Sequence, residues 1–246
     1  MSVLSDRIAT PDGKRRFVRS LFATIADRYD LITVLLSFGQ DQRWKRRLIR
    51  LTTSRTSPRM LDLATGTGNI AWALAKRSGR VVGLDVTWRM VELARAKARA
   101  HDACIVPPCF LVGDMVALPF RDASFDLVTT GYGLRNVPDL VAAITEIRRV
   151  LKPGGQALSL DFNRPANPVV RAAYLRYLTI VGGTLGWLLH RDPDTYRYIP
   201  ASIQSYPGAQ GVARLMEISG LTEVRHFRVL GGLMAIHEAY KPRHGA

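Results

Sequence analysis

The sequence has few cysteines, no long uncharged apolar run and a shortage of acidic residues. Its two cysteines, Cys104 and Cys109, form no C-x-x-C pair and have no histidine at ligand spacing. We therefore expect neither a disulfide framework nor a metal site, and a reducing cytoplasm is the natural compartment. The N-terminus has no apolar core, so we expect no signal peptide. Arg171 and Arg176 interrupt the best membrane candidate, residues 169–189, which leaves less than the about 20 apolar residues that a span needs.

The shortage of acid gives the chain an unusual charge. The chain has 35 Lys and Arg residues and 20 Asp and Glu residues, which gives a net charge of +15. Residues 1–59 carry much of the excess, with basic triplets at 14–16 and 45–47. A field of this sign attracts nucleic acid, anionic lipid or acidic ligands, although the triplets are equally well explained as solvated helix faces. A hydrophobic content of 47% over 246 residues excludes a disordered chain and fits one large domain.

The order of predicted elements indicates an α/β fold. Before residue 58 the pattern is helical, with an apolar stripe at Phe17, Leu21, Phe22 and Ile25. Strands then alternate with helices that we predict at 69–76, 87–100 and 138–151, and residues 215–220 end a last helix. The Pro/Gly residues 152–155 stop the helix at 138–151. The predicted strands are 60–64, 80–84, 110–112, 125–130, 156–162, 222–230 and 233–240. This alternation predicts a Rossmann-like, doubly wound, seven-stranded and mostly parallel sheet, closed by an antiparallel C-terminal hairpin.

A glycine-rich turn after the first strand is the sharpest local motif. Gly66 and Gly68 lie where that strand turns into a helix, which lets a ligand approach backbone N–H groups. Asp85 ends the second strand, where a carboxylate can accept hydrogen bonds from both ribose hydroxyls of a nucleoside. Residues 66–71 also match the dinucleotide fingerprint G-x-G-x-x-A, so a dehydrogenase is one alternative.

Two further acids favour a different nucleoside. Asp62, four residues before the first glycine, would repel a pyrophosphate but suits the sulfonium and amino groups of S-adenosylmethionine. Asp114 directly follows the third strand, where it could bind an adenine amino group, although a surface turn is the plainer explanation of Gly113-Asp114. Three acids at three consecutive strand ends together favour S-adenosylmethionine.

At these residues the sequence resembles the class I S-adenosylmethionine-dependent methyltransferases and, within them, the ubiquinone/menaquinone biosynthesis C-methyltransferases. The resemblance runs from about residue 17 to residue 241. The stretches that carry it are the glycine loop, Leu84-Asp85, Gly113-Asp114, Leu118-Pro119-Phe120, Lys152-Pro153-Gly154-Gly155, Arg28-Tyr29-Asp30, Leu36-Ser37-Phe38-Gly39, Trp44-Lys45, Gly133-Leu134-Arg135-Asn136-Val137, Asp194-Thr195-Tyr196-Arg197-Tyr198, Ser202-Ile203, His237 and Tyr240-Lys241. The Gly-Leu-Arg-Asn-Val and Tyr-Arg-Tyr stretches are the specific ones, because ordinary methyltransferases lack them.

The resemblance implies methyl transfer to a ring carbon of a polyprenylated quinol, such as demethylmenaquinol or a ubiquinol precursor. It implies one methyltransferase domain over residues 1–246, made of an N-terminal helical lid (1–57), a cofactor-binding core (58–162), a helical insertion (163–207) and a closing helix and hairpin (208–246). The cofactor-binding residues expected are Asp62, Thr65, Gly66, Thr67, Gly68, Asp85, Asp114, Met115 and Gly131. The sequence departs from the family at Asn69, usually Asp, at Gly131, often Ser, and at Asp161, usually Glu.

Carbon methylation requires a base or water relay, a phenolate stabiliser and apolar walls. We expect Arg135 to stabilise the phenolate and Asn136 to orient the ring oxygen or a water, a structural ion pair being the alternative for Arg135. Tyr29 on the lid could cover the site, or simply pack there. Asp161 could take the proton, orient Arg135 or cap the turn after it. His237 lies in an apolar strand and is better explained as a core histidine.

The insertion is the expected substrate side. Tyr196, Arg197 and Tyr198 could line the pocket for the quinol head group, with aromatic packing as the alternative. Residues 169–189 could guide the isoprenoid tail, lie at a membrane surface or form an ordinary core helix. The basic lid then fits an anionic membrane surface, which makes the protein peripherally membrane-associated, and a homodimer stays open.

Three rival functions remain. A nucleic-acid methyltransferase suits the charge, yet no Asn/Asp-Pro-Pro-aromatic motif follows the fourth strand, and Cys109 precedes the third strand rather than facing a flipped base. A non-enzymatic binding module would not need Arg135 and Asn136. A dehydrogenase is disfavoured by Asp62. No nucleic acid is therefore expected as a partner.

Overall fold

The computed structural model describes residues 8–53, 57–77, 79–98, 106–191 and 193–243, so Cys104 and the predicted helix end at residue 100 lie outside the described residues. The strands are β1 Arg59–Leu63, β2 Arg80–Asp85, β3 Cys109–Val112, β4 Phe125–Gly131, β5 Leu151–Phe162, β6 Thr222–Val229 and β7 Met234–Tyr240. They form one sheet in the order β3-β2-β1-β4-β5-β7-β6. Neighbours among β1 to β5 pair in parallel, and β7 is antiparallel to β5 and β6. The predicted fold class is confirmed.

Helices cover both faces of this sheet and form the lid and the insertion. They are α1 Pro11–Ile25, α2 Tyr29–Leu36, α3 Asp41–Arg50, α4 Asn69–Ala75, α5 Trp88–Ala98, α6 Leu140–Val150, α7 Pro168–His190, α8 Tyr198–Ser205 and α9 Gly208–Ile218. Within the described part of the chain, none of them has the length and apolarity that crossing a membrane requires. The boundaries predicted at residues 57, 162 and 207 fall between these elements, and the division into four segments stays a prediction.

The core is split by the sheet into two layers. Along β1, Met60 packs into one cluster with Trp72 and Leu158, while Leu61 packs into the other with Ile144. Successive side chains of a strand point to opposite faces, so a strand that is buried on both sides has a continuous apolar sequence. Packing of the two layers holds in place the strand ends that carry the site.

Two predicted boundaries around α6 are wrong. The helix begins at Leu140 rather than at Pro138, because the Asp139 side chain caps it by accepting from the Ala142 N–H at 2.9 Å. Residues 152–155 belong to β5, which starts at Leu151 instead of residue 156. The pairing with β4 shifts there and Gly154 has a φ of 71°, so the turn residues form an irregularity inside the strand rather than a stop before it.

The lid begins with a capped helix. Thr10 Oγ1 accepts from the Gly13 N–H at 3.1 Å and Pro11 occupies the first turn, which starts α1. Of the predicted stripe, Ile25 is buried, in a cluster that α2 and the C-terminal part of α7 complete. The lid therefore packs against the insertion and roofs the carboxyl ends of the strands.

Candidate active site

The glycine loop is held from below by a buried carboxylate. Gly66 and Gly68 have φ values of 54° and 83°, which favour glycine, and a Cβ on Gly68 would lie 2.8 Å from Phe110 Cζ. Asp62 accepts from the Thr65 hydroxyl at 2.6 Å and from the Thr129 hydroxyl at 2.7 Å. Burial raises the pKa of Asp62 to about 6. Asp62 thus supports the loop from beneath, and its direct contact with a cofactor stays a prediction.

Asp85 fixes the loop from the side. Its two carboxylate oxygens accept from the N–H groups of Gly66 and Thr87, each at 2.8 Å. Burial raises the pKa of this carboxyl group, while these bonds pull it back down. A carboxylate has about four acceptor positions, so the side chain retains capacity for ligand hydroxyls.

A cavity of about 80 Å³ opens beside Asp85, and we call it the acid-lined cavity. Asp85, Asp114, Met115 and Gly131, which are predicted from the sequence to bind the cofactor, all line it, and their contact with a cofactor stays a prediction. A Cβ on Gly131 would lie 2.5 Å from Ile70 Cδ1, so a serine here would require the end of the Ile70 side chain to move. Thr65, Gly66 and Thr67 line a smaller adjoining cavity, while Gly68 lies at the turn into α4.

A larger cavity of about 320 Å³ lies between the lid and the insertion, and we call it the apolar cavity. Its walls are mainly aliphatic and aromatic side chains of α1, α2, α7 and the β7 start. Phe22, Tyr29 and Tyr132 line both this cavity and the acid-lined one. Those three rings therefore form the partition at which two bound molecules would meet.

Arg135 and Asn136 are divided between the two cavities. Both belong to the short helical turn Leu134–Asn136 that follows β4, and both are buried. Arg135 lines the apolar cavity and Asn136 lines the acid-lined cavity. The buried Asn136 Oδ1 has no hydrogen-bond partner among the described residues. An unused acceptor of this kind is costly unless a ligand or water satisfies it.

Asp161 contacts Arg135 and lines neither of the two cavities. One Asp161 oxygen accepts from the Arg135 N–H at 3.1 Å, and the other lies 3.2 Å from Arg135 Nε. The guanidinium also donates to Ser202 Oγ at 2.6 Å and stacks 4.7 Å from the Phe162 ring centre. Burial raises the Asp161 pKa and Arg135 opposes that rise. Of the roles predicted for Asp161, the geometry favours orientation of Arg135.

Two tyrosines from different parts of the chain frame the partition. A Cβ on Gly66 would lie 3.7 Å from Tyr29 Cε1, so this lid ring lies over the glycine loop. Tyr132, with a φ of 62°, donates from its hydroxyl to Asp41 at 2.7 Å. Burial raises the pKa of both hydroxyls, and the negative charge of Asp41 adds to each shift. Both tyrosines are therefore neutral hydrogen-bonding groups at ordinary pH.

The residues of the Tyr-Arg-Tyr stretch differ in burial. Tyr196 and Tyr198 are buried and line the apolar cavity, whereas Arg197 between them is exposed. Tyr198 Oη has no partner among the described residues, and burial raises its pKa to about 12.

His237 is buried between Ser159 Oγ at 3.2 Å and the Ala209 carbonyl at 2.9 Å, so the interpretation as a satisfied core histidine agrees with its contacts.

Asp30, a lid residue without a predicted role, joins the lid to the glycine loop. Asp30 accepts from Thr67 at 2.7 Å, Asn69 at 2.9 Å and Lys97 at 2.6 Å. Burial pulls the Asp30 pKa upward, but these three donors hold it below its usual value. Because the lid carboxylate accepts from its amide, Asn69 has a reason to be Asn rather than Asp. The sequence signal that could have indicated a role for Asp30 is its place in the family stretch Arg28-Tyr29-Asp30.

Two more basic residues of α1 reach the site. Arg15 Nε lies 3.0 Å from Asp114 Oδ2 and lines the acid-lined cavity. Lys14 Nζ donates to the Arg135 carbonyl at 3.1 Å, and burial followed by the Arg135 charge lowers its pKa. Two of the basic residues of the lid are therefore in contact with residues of the site.

A sheet of this order, with an acid-bordered glycine loop at its carboxyl edge, defines the class I methyltransferase fold. A methyltransferase from Thermotoga maritima superposes with a TM-score of 0.66 at 18% identity, over 91% of this chain and 99% of the other. A phosphoethanolamine N-methyltransferase of Haemonchus contortus gives a TM-score of 0.65 at 15% identity, over 92% and 60%.

Within that class the chain belongs to the ubiE/COQ5 methyltransferase family, whose model matches residues 10–241. It is 39% identical to the demethylmenaquinone methyltransferase of Thermus thermophilus, covering 90% of this chain and all of that protein. It is 36% identical to the ubiquinone/menaquinone biosynthesis C-methyltransferase UbiE of Serratia proteamaculans, covering 96% of this chain and 94% of that protein. The family suggested by the sequence motifs is confirmed.

Proposed function

We propose that this protein transfers the methyl group of S-adenosylmethionine to a ring carbon of a polyprenylated quinol, such as demethylmenaquinol. The observation that carries the proposal is the pair of cavities that meet at Phe22, Tyr29 and Tyr132. One has carboxylates suited to a nucleoside, and the other has apolar walls suited to a prenylated ring. The family relatives named above act in quinone biosynthesis, which supports this substrate class.

The residues present fit the cofactor. Asp85 has acceptor capacity for ribose hydroxyls, Asp114 for an adenine amino group, and the buried Asn136 Oδ1 is an acceptor without a protein partner. When bound, S-adenosylmethionine supplies an electrophilic methyl group on its sulfonium. Arg135 in the apolar cavity stabilises the phenolate that forms as the ring hydroxyl loses its proton, and Tyr198 Oη offers the ring a further hydrogen bond.

The partition sets the reaction geometry. Tyr29 and Tyr132 exclude water from the meeting point, and the closed lid holds the two molecules in contact. Positioning of this kind can supply about 7–11 kcal/mol of the barrier. The methyl group that the cofactor would supply replaces the hydrogen of the ring carbon, whose C–H bond breaks as the aromatic ring is restored. The ring oxygen is then reprotonated, so one proton in total passes to solvent or a base.

The deciding experiment is incubation with radiolabelled S-adenosylmethionine and one acceptor at a time. The acceptors are a demethylated prenyl naphthoquinol, the corresponding benzoquinol and RNA. Label in one or both quinols is expected, and their ratio identifies the ring. Label that enters RNA alone contradicts the proposal and favours the nucleic-acid methyltransferase.

We also propose that the protein docks on an anionic membrane surface. On α2 the exposed residues are Leu31, Val34, Leu35 and the following Phe38, whose spacing of i, i+3, i+4 and i+7 forms an apolar stripe facing solvent. Such a face on a soluble-type fold marks an interaction site. Phe38, 75% exposed, also lines the apolar cavity, so the stripe reaches its mouth.

The neighbouring helix extends this face. α7 is antiparallel to α2, since Arg28 donates to the Leu189 carbonyl at one end and Phe38 stacks on Tyr177 at 6.1 Å at the other. α7 exposes Ile180, Trp187 and Leu188, and it contains no Asp or Glu. Apolar residues flanked by arginine suit an anionic bilayer, where each basic residue near the surface contributes about 1 kcal/mol.

Vesicle sedimentation tests this docking. The protein should bind phosphatidylglycerol vesicles, bind phosphatidylcholine vesicles weakly, and dissociate as salt rises. Phe38→Ser should lower binding several-fold, whereas Ile218→Ser, which removes a comparably exposed side chain on α9, should not. Salt-independent binding, or a dimer in solution that Phe38→Ser converts to monomer without any vesicle binding, contradicts the proposal and assigns the face to a second copy of the chain.

A further inference from the structure

A small cavity of about 20 Å³ adjoins the glycine loop. It shares Tyr29, Gly66, Gly131 and Tyr132 with the acid-lined cavity, so the two are continuous along the loop. The acids Asp85 and Asp114 line the first cavity and not the second. The first cavity therefore carries two acids, of which Asp114 is paired with Arg15, and the second cavity carries neither.

Lys45 lines the small cavity. Among the described residues that line the small cavity, it carries the only formal charge. Its side chain is buried, its Nζ lies 2.8 Å from Asp41 Oδ2, and it is 5.8 Å from the Tyr132 ring centre. Asp41 offsets the cost of burying this ammonium group, and the N–H donors that Asp41 leaves unused at the cavity wall suit an anionic ligand group.

We propose, on the basis of the function proposed above, that Lys45 binds the carboxylate of the amino-acid portion of S-adenosylmethionine. A nucleoside held by Asp85 and Asp114 leaves the rest of the cofactor to extend along Gly66 into the small cavity. The carboxylate is attracted to the ammonium, which retains donors beyond its bond to Asp41.

Asp41 and Tyr132 position this lysine. Asp41 accepts from Tyr132 Oη at 2.7 Å and pairs with Lys45, so one buried chain links the end of β4 to the lid helix α3. Because Tyr132 also lines the apolar cavity, occupancy at Lys45 is connected to the wall of the quinol site. The lid thereby contributes a ligand-binding charge as well as a cover.

The test compares two ligands that differ in the amino-acid portion. S-adenosylhomocysteine carries the carboxylate, and 5′-methylthioadenosine lacks the whole amino acid. By titration calorimetry, Lys45→Met should weaken S-adenosylhomocysteine binding about 10- to 100-fold, the effect of one charge-assisted hydrogen bond. Binding of 5′-methylthioadenosine should change less than about threefold by the same reasoning. Lys152→Met, which breaks an ion pair with Asp126 elsewhere on the sheet, is the matched control and should affect neither ligand.

A second variant removes the effect of an unpaired buried Asp41. Lys45→Met combined with Asp41→Asn should show the same selective loss. Equal weakening of both ligands, or full retention of S-adenosylhomocysteine binding, overturns the inference. If the unmodified protein binds neither nucleoside, the proposed function fails instead, so the two failures are distinguishable.

Discussion

The acid-lined cavity and the apolar cavity are built from different kinds of sequence information. The first is assembled largely at consecutive strand ends between Ala64 and Pro138, where the topology of a parallel sheet brings the polar residues together. The second draws residues from Leu21 to Met234, across the lid, the insertion and the hairpin. Its form depends on packing between distant helices. The difference indicates that the sheet itself forms most of the acid-lined cavity, whereas the lid and the insertion, which are additions to the sheet, form most of the apolar cavity.

Replacement of Arg135 should give the largest effect and separates the two cavities functionally. Because Arg135 lines only the apolar cavity of the two, Arg135→Gln should lower kcat about 100- to 1,000-fold, as for loss of one transition-state donor. The dissociation constant of S-adenosylhomocysteine should stay within about threefold. Steady-state kinetics and calorimetry measure both, with circular dichroism as the check that the unpaired Asp161 has not unfolded the protein. A parallel loss of cofactor affinity would show that the cavities are not independent.

Asp85 provides the converse prediction. Asp85→Asn replaces an acceptor for Gly66 N–H by an amide and removes the charge facing the ribose hydroxyls, so S-adenosylhomocysteine should bind about 10- to 100-fold more weakly. Affinity for a prenylated naphthoquinone should be nearly unchanged, measured by quenching of tryptophan fluorescence, since Trp44 lines the apolar cavity. Loss of quinone binding in this variant would contradict the comparison.

The smallest effect expected is on the pH dependence of stability. Burial raises the pKa of Asp62 to about 6, so its contribution to stability is fully present below its usual pKa of 3.8 and is lost as pH rises through 6. Burial lowers the pKa of His237, in the strand that also carries Met234 of the apolar cavity, from 6.5 to about 4. Its contribution is present above pH 6.5 and is lost as pH falls through 4.

The two contributions oppose each other between pH 4 and pH 6, each amounting to about 3 kcal/mol from the size of its shift. Asp62→Asn should therefore steepen the rise in unfolding free energy from pH 4.5 to pH 7, and His237→Gln should reduce it. Urea denaturation at several pH values measures both. Curves for Asp62→Asn that run parallel to those of the unmodified protein would contradict the assignment.

The sequence predicts the sheet well because its strands are regular and the acids lie close to their carboxyl ends. Asp62 and Asp85 are within the last two residues of β1 and β2, and Asp114 lies two residues past β3. Asp85 and Asp114 lie where the spacing places them, and Gly131 lies between the cavities. The pairing of Tyr132 with Asp41, 91 residues away, has no local signal, since it depends on how the lid packs on β4. The contact of Asp30 with the glycine loop is unpredictable for the same reason, and Arg197 illustrates that a stretch specific to the family contains exposed residues too.

The partition of Phe22, Tyr29 and Tyr132 also bears on how successive turnovers are organised. It separates an entrance whose rim includes Phe38 and Tyr177 from the acid-lined cavity on the far side of the rings. With the function and the membrane docking proposed above, spent cofactor would exchange with the aqueous phase while the methylated quinol returned to the lipid through its own route. The protein would then stay on the bilayer between reactions and work processively.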